Sequence, residues 1–273
     1  MKGVRPPAVA GLFYPAEPRE LRRELRRHLE AGRPSGPVPP PRALVVPHAG
    51  YRYSGPVAGR AYAWLRASGA RPERVVLLGP AHHLPFRGFA LSSAEAWETP
   101  LGLVRLDPQT PALLADLPGT GLLDEAHVRE HSLEVQLPFL QEVLGPDFLL
   151  APVAAGLADT EEAAALLERL WGGPETLILV STDLSHFHDA GTARRLDRAT
   201  CRAVEALRPE DLDEESACGR VPLRGLLRAA NRHGLRPQTL DLRNSADTAG
   251  FPERVVGYGA WAFLPADVPS AAV

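Results

Sequence analysis

The 273-residue chain has only two cysteines, Cys201 and Cys218, too few for a disulfide framework. In reducing surroundings a cysteine in a polar stretch reads as a metal ligand or nucleophile before it reads as half of a bridge. No apolar run reaches the roughly 18 to 20 residues needed to cross a bilayer, so no membrane partner is expected. The opening MKGVRPPAVAGLFYPAEP is interrupted by prolines and an acidic residue where a secretion signal needs a continuous apolar run. The expected location is therefore the cytoplasm. Lysine is almost missing: Lys2 is the only one, and arginine supplies the rest of the 30 basic residues. With a net charge of −3, nothing points to a nucleic-acid partner. Phosphate-cradling loops of the form G-x-x-x-x-G-K-[ST] or G-x-G-x-x-G are absent, so nucleotide binding has no support. The G-x-S-x-G elbow of serine hydrolases is absent as well. So are the short metal signatures CxxC and HExxH.

What is present is an alternation of apolar strands and helices. Residues 17–31 place Leu21, Leu25 and Leu29 at helical spacing, which predicts an amphipathic surface helix. A Pro/Gly-rich stretch, 32–42, follows as a surface connection and not a domain boundary, because too little chain precedes it to fold alone. Beyond it ALVVP (43–47), RVVLLGP (74–80) and TLILVST (176–182) read as fully buried strands. Helices are expected at 56–69, with Pro56 near the first turn, and over 131–145, where Pro138 marks a kink or an early start. More are expected after Asp159 or Thr160, near 191–207 and near 222–233. Continuous apolar strands between helices imply a sheet covered on both faces. The expected architecture is one α/β domain over residues 1–273, its central sheet mostly parallel or mixed.

The three clearest strands each run into a polar cluster: His48 after the first, His82 and His83 after the second, Asp183, His186 and His188 after the third. Ligands of open α/β sheets bind beyond the carboxyl ends of strands. Neutral imidazole is the commonest metal ligand, and a divalent ion also needs an anionic donor, here Asp183 or the thiolate of Cys218. A helical turn at 183–186 would put Asp183 and His186 on one face. Each residue also has a structural reading: His48 as a carbonyl partner, Asp183 as a helix cap, Cys218 as a small buried hydrophobe. Cys201 is assigned to the core, His188 and Asp189 to a solvated loop, and His28, His127 and His233 to the surface.

At these same residues the sequence resembles the Memo family, called the B component of the AmmeMemoRadiSam system in prokaryotes. The matching segments are AGLFYPA (10–16), VPHAGYRYSG (46–55), LLGPAHHLPF (77–86), LSSAEAWETPLG (91–102), EHSLEVQLPFL (130–140), VSTDLSHF (180–187) and ACGRVPL (217–223). The resemblance implies a fold similar to the class III extradiol dioxygenases of the LigB type. It also implies a pocket lined by His48, His82, Asp183, His186 and Cys218, with His131 behind them. Iron or copper binding and redox activity are attributed to such proteins, a peptide-binding role to animal members, and association with a radical-SAM partner follows from the name of the system.

The leading expectation is a metal-dependent oxidoreductase related to non-heme dioxygenases: His48, His82 and Cys218 hold iron or copper, while Asp183, His186 and His131 position a proton or an unknown substrate. A thiolate in place of a carboxylate softens the site toward copper or zinc. The alternatives are a non-catalytic pocket for a peptide or small molecule, with Arg52 as an added donor, and zinc-assisted hydrolysis.

Overall fold

A strand that is apolar along its whole length has two faces to bury, and the helices between such strands supply the cover. The computed structural model of the chain, which describes residues 3–267, follows that rule. In chain order its elements are β1 (Val4–Arg5), α1 (Pro18–Ala31), β2 (Ala43–Val46), α2 (Tyr51–Ala67), β3 (Arg74–Pro80), β4 (Phe89–Leu91), β5 (Ala96–Thr99), β6 (Gly102–Arg105), α3 (Thr110–Leu113), β7 (Thr120–Leu122), α4 (Glu125–Val128), α5 (Leu137–Leu144), β8 (Leu149–Ala155), α6 (Thr160–Leu170), β9 (Thr176–Ser181), β10 (His186–His188), α7 (Ala190–Glu205), α8 (Arg220–Arg232), β11 (Leu235–Asn244) and β12 (Val255–Pro265).

The large sheet runs β10-β12-β2-β9-β3-β8-β4-β7, with β11 paired to β12. Strands β2, β9, β3 and β8 are parallel neighbours, whereas β12 and β4 join them antiparallel. The sheet is thus mixed, in one α/β domain consistent with a LigB-like fold. A small sheet, β1-β5-β6, stands apart.

Side-chain alternation along the parallel strands divides the core in two. Leu44, Val46, Val75, Leu77, Leu177 and Leu179 pack with α1, α2 and α5 on one face. Ala43, Val45, Val76, Leu78, Ile178 and Val180 pack with α6, α7 and α8 on the other. Each strand residue therefore leaves water on one side or the other, at roughly 1.5–3 kcal/mol for a buried Val or Leu. The chain passes from β2 to β3 over the first face through α2 and from β8 to β9 over the second through α6, which leaves β9 between β2 and β3. Crossovers that depart to opposite faces open a crevice at the carboxyl ends of the strands between them. In this crevice Val46 of β2 lies opposite Ser181 of β9.

Several local expectations need correction. Helix α2 begins at Tyr51, five residues before Pro56, which lies inside the helix. Proline has no N–H to give the carbonyl of Arg52, but Arg52 is exposed, so water can take that acceptor. Helix α8 begins at Arg220, two residues before Pro222. The stretch 32–42 contains no helix or strand and is pinned down: Val38 is buried and the Trp64 indole donates to the Pro39 carbonyl at 3.0 Å. His28 and His127 are buried, not on the surface. His28 fits between α1 and α2 because Gly55 and Gly59 face it; a Cβ on either would stand 2.6 Å from an atom of His28. His127 donates from Nε2 to the Ala90 carbonyl at 3.1 Å. Burial, with Arg5 beside it, pushes its imidazole down to about 4. Asp189 is exposed, as expected, and caps α7 by accepting from the amides of Gly191 and Thr192, whereas His188 lies in β10 and not in a loop. No helix among the described residues is long and apolar enough to cross a membrane.

Candidate metal centre

Three side chains from the ends of β2 and β3 and the entry to α8 meet in the crevice. The ligand-type atoms of His48, His82 and Cys218 all lie within 4.8 Å of one another, and the sulfur of Cys218 is 3.4 Å from Nε2 of His48. Metal–nitrogen and metal–sulfur bonds of about 2.0 and 2.3 Å at a tetrahedral angle would hold N and S roughly 3.5 Å apart. The donor set and its spacing therefore fit a divalent ion with three protein ligands and an open position.

Hydrogen bonding decides which nitrogen of His48 is bare. The Ser181 hydroxyl donates its one proton to the Ser132 carbonyl at 2.6 Å. Toward His48 Nδ1, 2.9 Å away, Ser181 can only accept, so Nδ1 carries the hydrogen. Gln136 reinforces this arrangement: its amide donates to Ser181 at 2.8 Å and to the Pro47 carbonyl at 3.0 Å, while Tyr62 donates to its oxygen at 2.7 Å. Nε2 of His48 is left as a lone pair facing the thiol. Burial, with the neighbouring rings of His82 and His131 next in weight, holds His48 well below the ordinary imidazole range. It is neutral at physiological pH, the form that binds metal.

His82 is oriented by a carboxylate instead. Its Nδ1 donates to Glu130 at 2.9 Å, and its backbone amide donates to the other oxygen of the same group. Glu130 also accepts from the amides of His131 at 2.9 Å and Ser132 at 2.8 Å. Burial would raise this carboxyl, but the hydrogen bonds from His82 and the nearby amides outweigh it and hold Glu130 well below the usual carboxylate range. For His82 burial disfavours the charged ring, yet the hydrogen bonds with Cys218 and Glu130 prevail and push it up to about 10. A metal ion would have to displace that proton. His82, Glu130 and His131 form a second cluster close enough to share an ion. The Glu130 oxygens are already committed to four N–H groups, so we read this cluster as support for the first. Carboxylate–imidazole pairs of this kind fix ring orientation at metal sites.

The remaining predicted residues lie beside this group. Asp183 is buried at the end of β9 and accepts from the His48 amide at 2.7 Å, so it shapes the β2–α2 loop and caps no helix of its own. Burial pushes its carboxyl up to about 6 against the pull of the His48 and Ala49 amides and of His186. His186 is not on a helical turn with Asp183; it begins β10, where its Nδ1 donates to the Leu184 carbonyl at 2.7 Å. A bulge follows at Phe187, whose φ of 64° lets β10 keep its pairing with β12. His131 stacks on His82, with ring centroids 4.7 Å apart, and touches Phe13 at the same distance. Burial pushes it down to about 4, so it is neutral. His83 is exposed and contributes no donor to either cluster. Asp183 and His131 open onto a pocket of about 590 Å³ walled by Leu12, Phe13, Tyr53, Phe251 and Tyr258. Cys218 also faces a smaller hollow of about 260 Å³ on the far side, beside Leu84, Phe86 and Arg220.

The sequence reading missed Glu130, Gln136 and Ser181. All three belong to or touch the segment 130–136, which bridges the ends of three strands. Gly79 makes the bridge possible, because a Cβ there would stand 2.9 Å from both the Ser132 hydroxyl oxygen and a Leu133 methyl. The signals of Glu130, Gln136 and Ser181 in the sequence were membership of the matching segments 130–140 and 180–187 and, for Glu134 and Gln136, polar residues set among apolar ones.

A family model described as Memo-like protein matches residues 5–262. A MEMO1 family protein of Methanopyrus kandleri is 37% identical, covering 95% of this chain and 98% of the relative. One from Aquifex aeolicus is 36% identical over 96% and 99%. Another, from Methanosarcina barkeri, is 35% identical over 94% and 98%.

Proposed function

The chain belongs to the Memo family, and on that footing we propose that it is a metal-dependent oxidoreductase of a reducing, cytoplasmic setting. His48, His82 and Cys218 would hold iron or copper; Asp183, His186 and His131 would handle a proton and the substrate. What carries the reading is the lone-pair geometry: a bare imidazole nitrogen and a sulfur face each other at 3.4 Å, and the opposite nitrogen of each ligand ring is held by a fixed acceptor. A redox-active ion bound there would supply one-electron chemistry at an open coordination position.

The chain's own groups divide the remaining work. Ser181 and Glu130 keep both ligand rings in the tautomer that offers Nε2. Asp183, with a carboxyl near 6, is poised to take or return a proton close to neutrality. Neutral His131 offers a second proton relay at the pocket floor, and the apolar walls keep water from the ligand.

The test is anaerobic reconstitution with iron, copper or zinc followed by elemental analysis. Wild type should retain about one ion per chain, and the His48→Ala/His82→Ala double variant should not. Equal retention by both defeats the reading. A zinc-loaded, redox-silent centre active on esters or amides would replace oxidation with hydrolysis. The 590 Å³ pocket favours one further reading, a ligand-binding module without turnover. Tight ligand binding by protein that takes up no metal would select it.

A further inference from the structure

The pocket beside the centre carries a donor without a partner. The chain has five tyrosines, and four of them, Tyr14, Tyr51, Tyr62 and Tyr258, are buried. Buried tyrosine hydroxyls almost always find a hydrogen bond, because leaving one unmet costs about 1–3 kcal/mol. Tyr14 donates to Glu134, Tyr51 to the Val135 carbonyl and Tyr62 to Gln136, each at 2.7 Å. Tyr258 is only 2% exposed and its hydroxyl makes no hydrogen bond to protein among the described residues, but it is not among the polar atoms sealed away without a partner, so it keeps a small opening to solvent. It lies on β12, three residues before Trp261, which pairs with Val45 of β2, so it stands alongside the loop carrying His48. It lines the pocket together with Asp183 and His131.

We infer that this pocket binds an uncharged small organic molecule with an apolar body, and that the Tyr258 hydroxyl donates to an oxygen at its buried end. The inference rests on the reading above for what the floor residues do, and on the pocket alone for binding. The walls set the body of the ligand: Leu12, Phe13, Tyr53, Phe251 and Val256 offer apolar and aromatic surface that an inorganic anion or a sugar would leave unfilled. The charged groups of the lining argue against an anion, because Asp183 and Glu253 face a single cation, Arg254, whose guanidinium lies over the Phe187 ring. The floor sets its polar end. Tyr258 stays protonated, its phenol pushed above the ordinary range first by burial and then by the Asp183 charge. A carbonyl oxygen there would meet the donor that no protein group satisfies.

Acetophenone and ethylbenzene are suitable probes, nearly equal in size and differing in one carbonyl. Their binding to the full chain would be measured by ligand-observed NMR for wild type, Tyr258→Phe and Phe251→Ser. Losing one buried hydrogen bond of about 1 kcal/mol should weaken acetophenone about three- to tenfold in Tyr258→Phe and leave ethylbenzene unchanged or slightly tighter. Phe251→Ser should weaken both probes by similar factors. Loss of both probes in Tyr258→Phe, no change in either, no binding to wild type, or indifference to Phe251→Ser would each overturn the inference. Metal content measured on the same samples separates the two ideas. Protein that discriminates the probes but takes up no ion sinks the metal assignment alone, and protein that holds an ion but fails the probe test sinks this one alone.

Discussion

Two buried polar clusters hang from the same seven residues, 130–136, and they are finished differently. The first surrounds Glu134. Its two oxygens accept from Arg5 at 2.7 Å, from the amides of Ala8 and Val9, and from the Tyr14 hydroxyl. Arg5 spends its remaining donors on the carbonyls of His127 and Glu130 and lies over the Trp97 ring. Both partners are fully buried, and every charge is answered. The second cluster, around His48, His82 and Cys218, is equally well held from behind but open in front, where the outer ring nitrogens and the sulfur meet with no fixed protein partner beyond one another. The closed cluster fixes the N-terminal segment onto the core; the open one keeps donor atoms that could hold an ion. Saturation of hydrogen-bonding capacity, more than burial or residue type, separates the two clusters.

The strongest way to break the comparison is Glu134→Leu, which strands the Arg5 charge in the core. Stability should fall by about 3–5 kcal/mol in urea denaturation; a loss below about 1 kcal/mol would mean that the closed cluster is not a structural anchor. A third buried carboxylate, Asp197, sharpens the contrast, since it has one amide donor, from Ser185, and no cation in ion-pair range among the described residues. Burial pushes it up to about 6. A carboxyl raised above its unfolded value of about 3.9 stabilises the fold fully below pH 4 and loses that contribution as pH climbs through 6. Asp197→Asn should therefore gain on wild type by up to about 3 kcal/mol between pH 4 and 7, and a constant difference across that range would refute the assignment.

Glu130→Gln tests the open cluster from behind. The amide keeps an acceptor for His82 but sets an NH2 against N–H donors, and metal affinity measured by chelator competition should drop about 10- to 100-fold. The mildest probe is Ser181→Ala, which removes the acceptor that holds hydrogen on His48 Nδ1. We expect a roughly fivefold weaker metal complex, close to one neutral hydrogen bond. If Ser181→Ala matched Glu130→Gln, the two rings would not be held by different means.

The fold and the meeting of His48 with His82 were legible in the sequence for one reason, whereas Cys218, at the entry to α8, was not marked by it. Strands at 43–46, 74–80 and 176–181 are apolar but for Arg74, Thr176 and Ser181 at their ends, and an imidazole or carboxylate just beyond such a run falls on the crevice. Strands of two to four residues, such as β1, β5 and β7, are too short to show a period. Helix α2 was read late because Pro56 looked like a first-turn residue. His28 and His127 looked solvated because their neighbours in sequence are polar, whereas their neighbours in space are helix glycines and Trp97. Glu130 was hidden for the same reason. A glutamate in a charged loop ordinarily faces water, and its burial comes wholly from long-range packing on the ends of β3 and β9.

The placement of β9 between β2 and β3 has a consequence in time. On a ribosome both imidazoles emerge while the strand that will separate their own strands is still unmade, and the thiol follows later still. No fragment that stops before residue 218 carries all three of the proposed ligands, so an ion captured earlier would be held by two rings at most. If these residues bind an ion as proposed, complete loading must wait until β9 has been threaded into the middle of the sheet and the chain has passed Cys218, which would make the loaded centre a report on nearly finished folding.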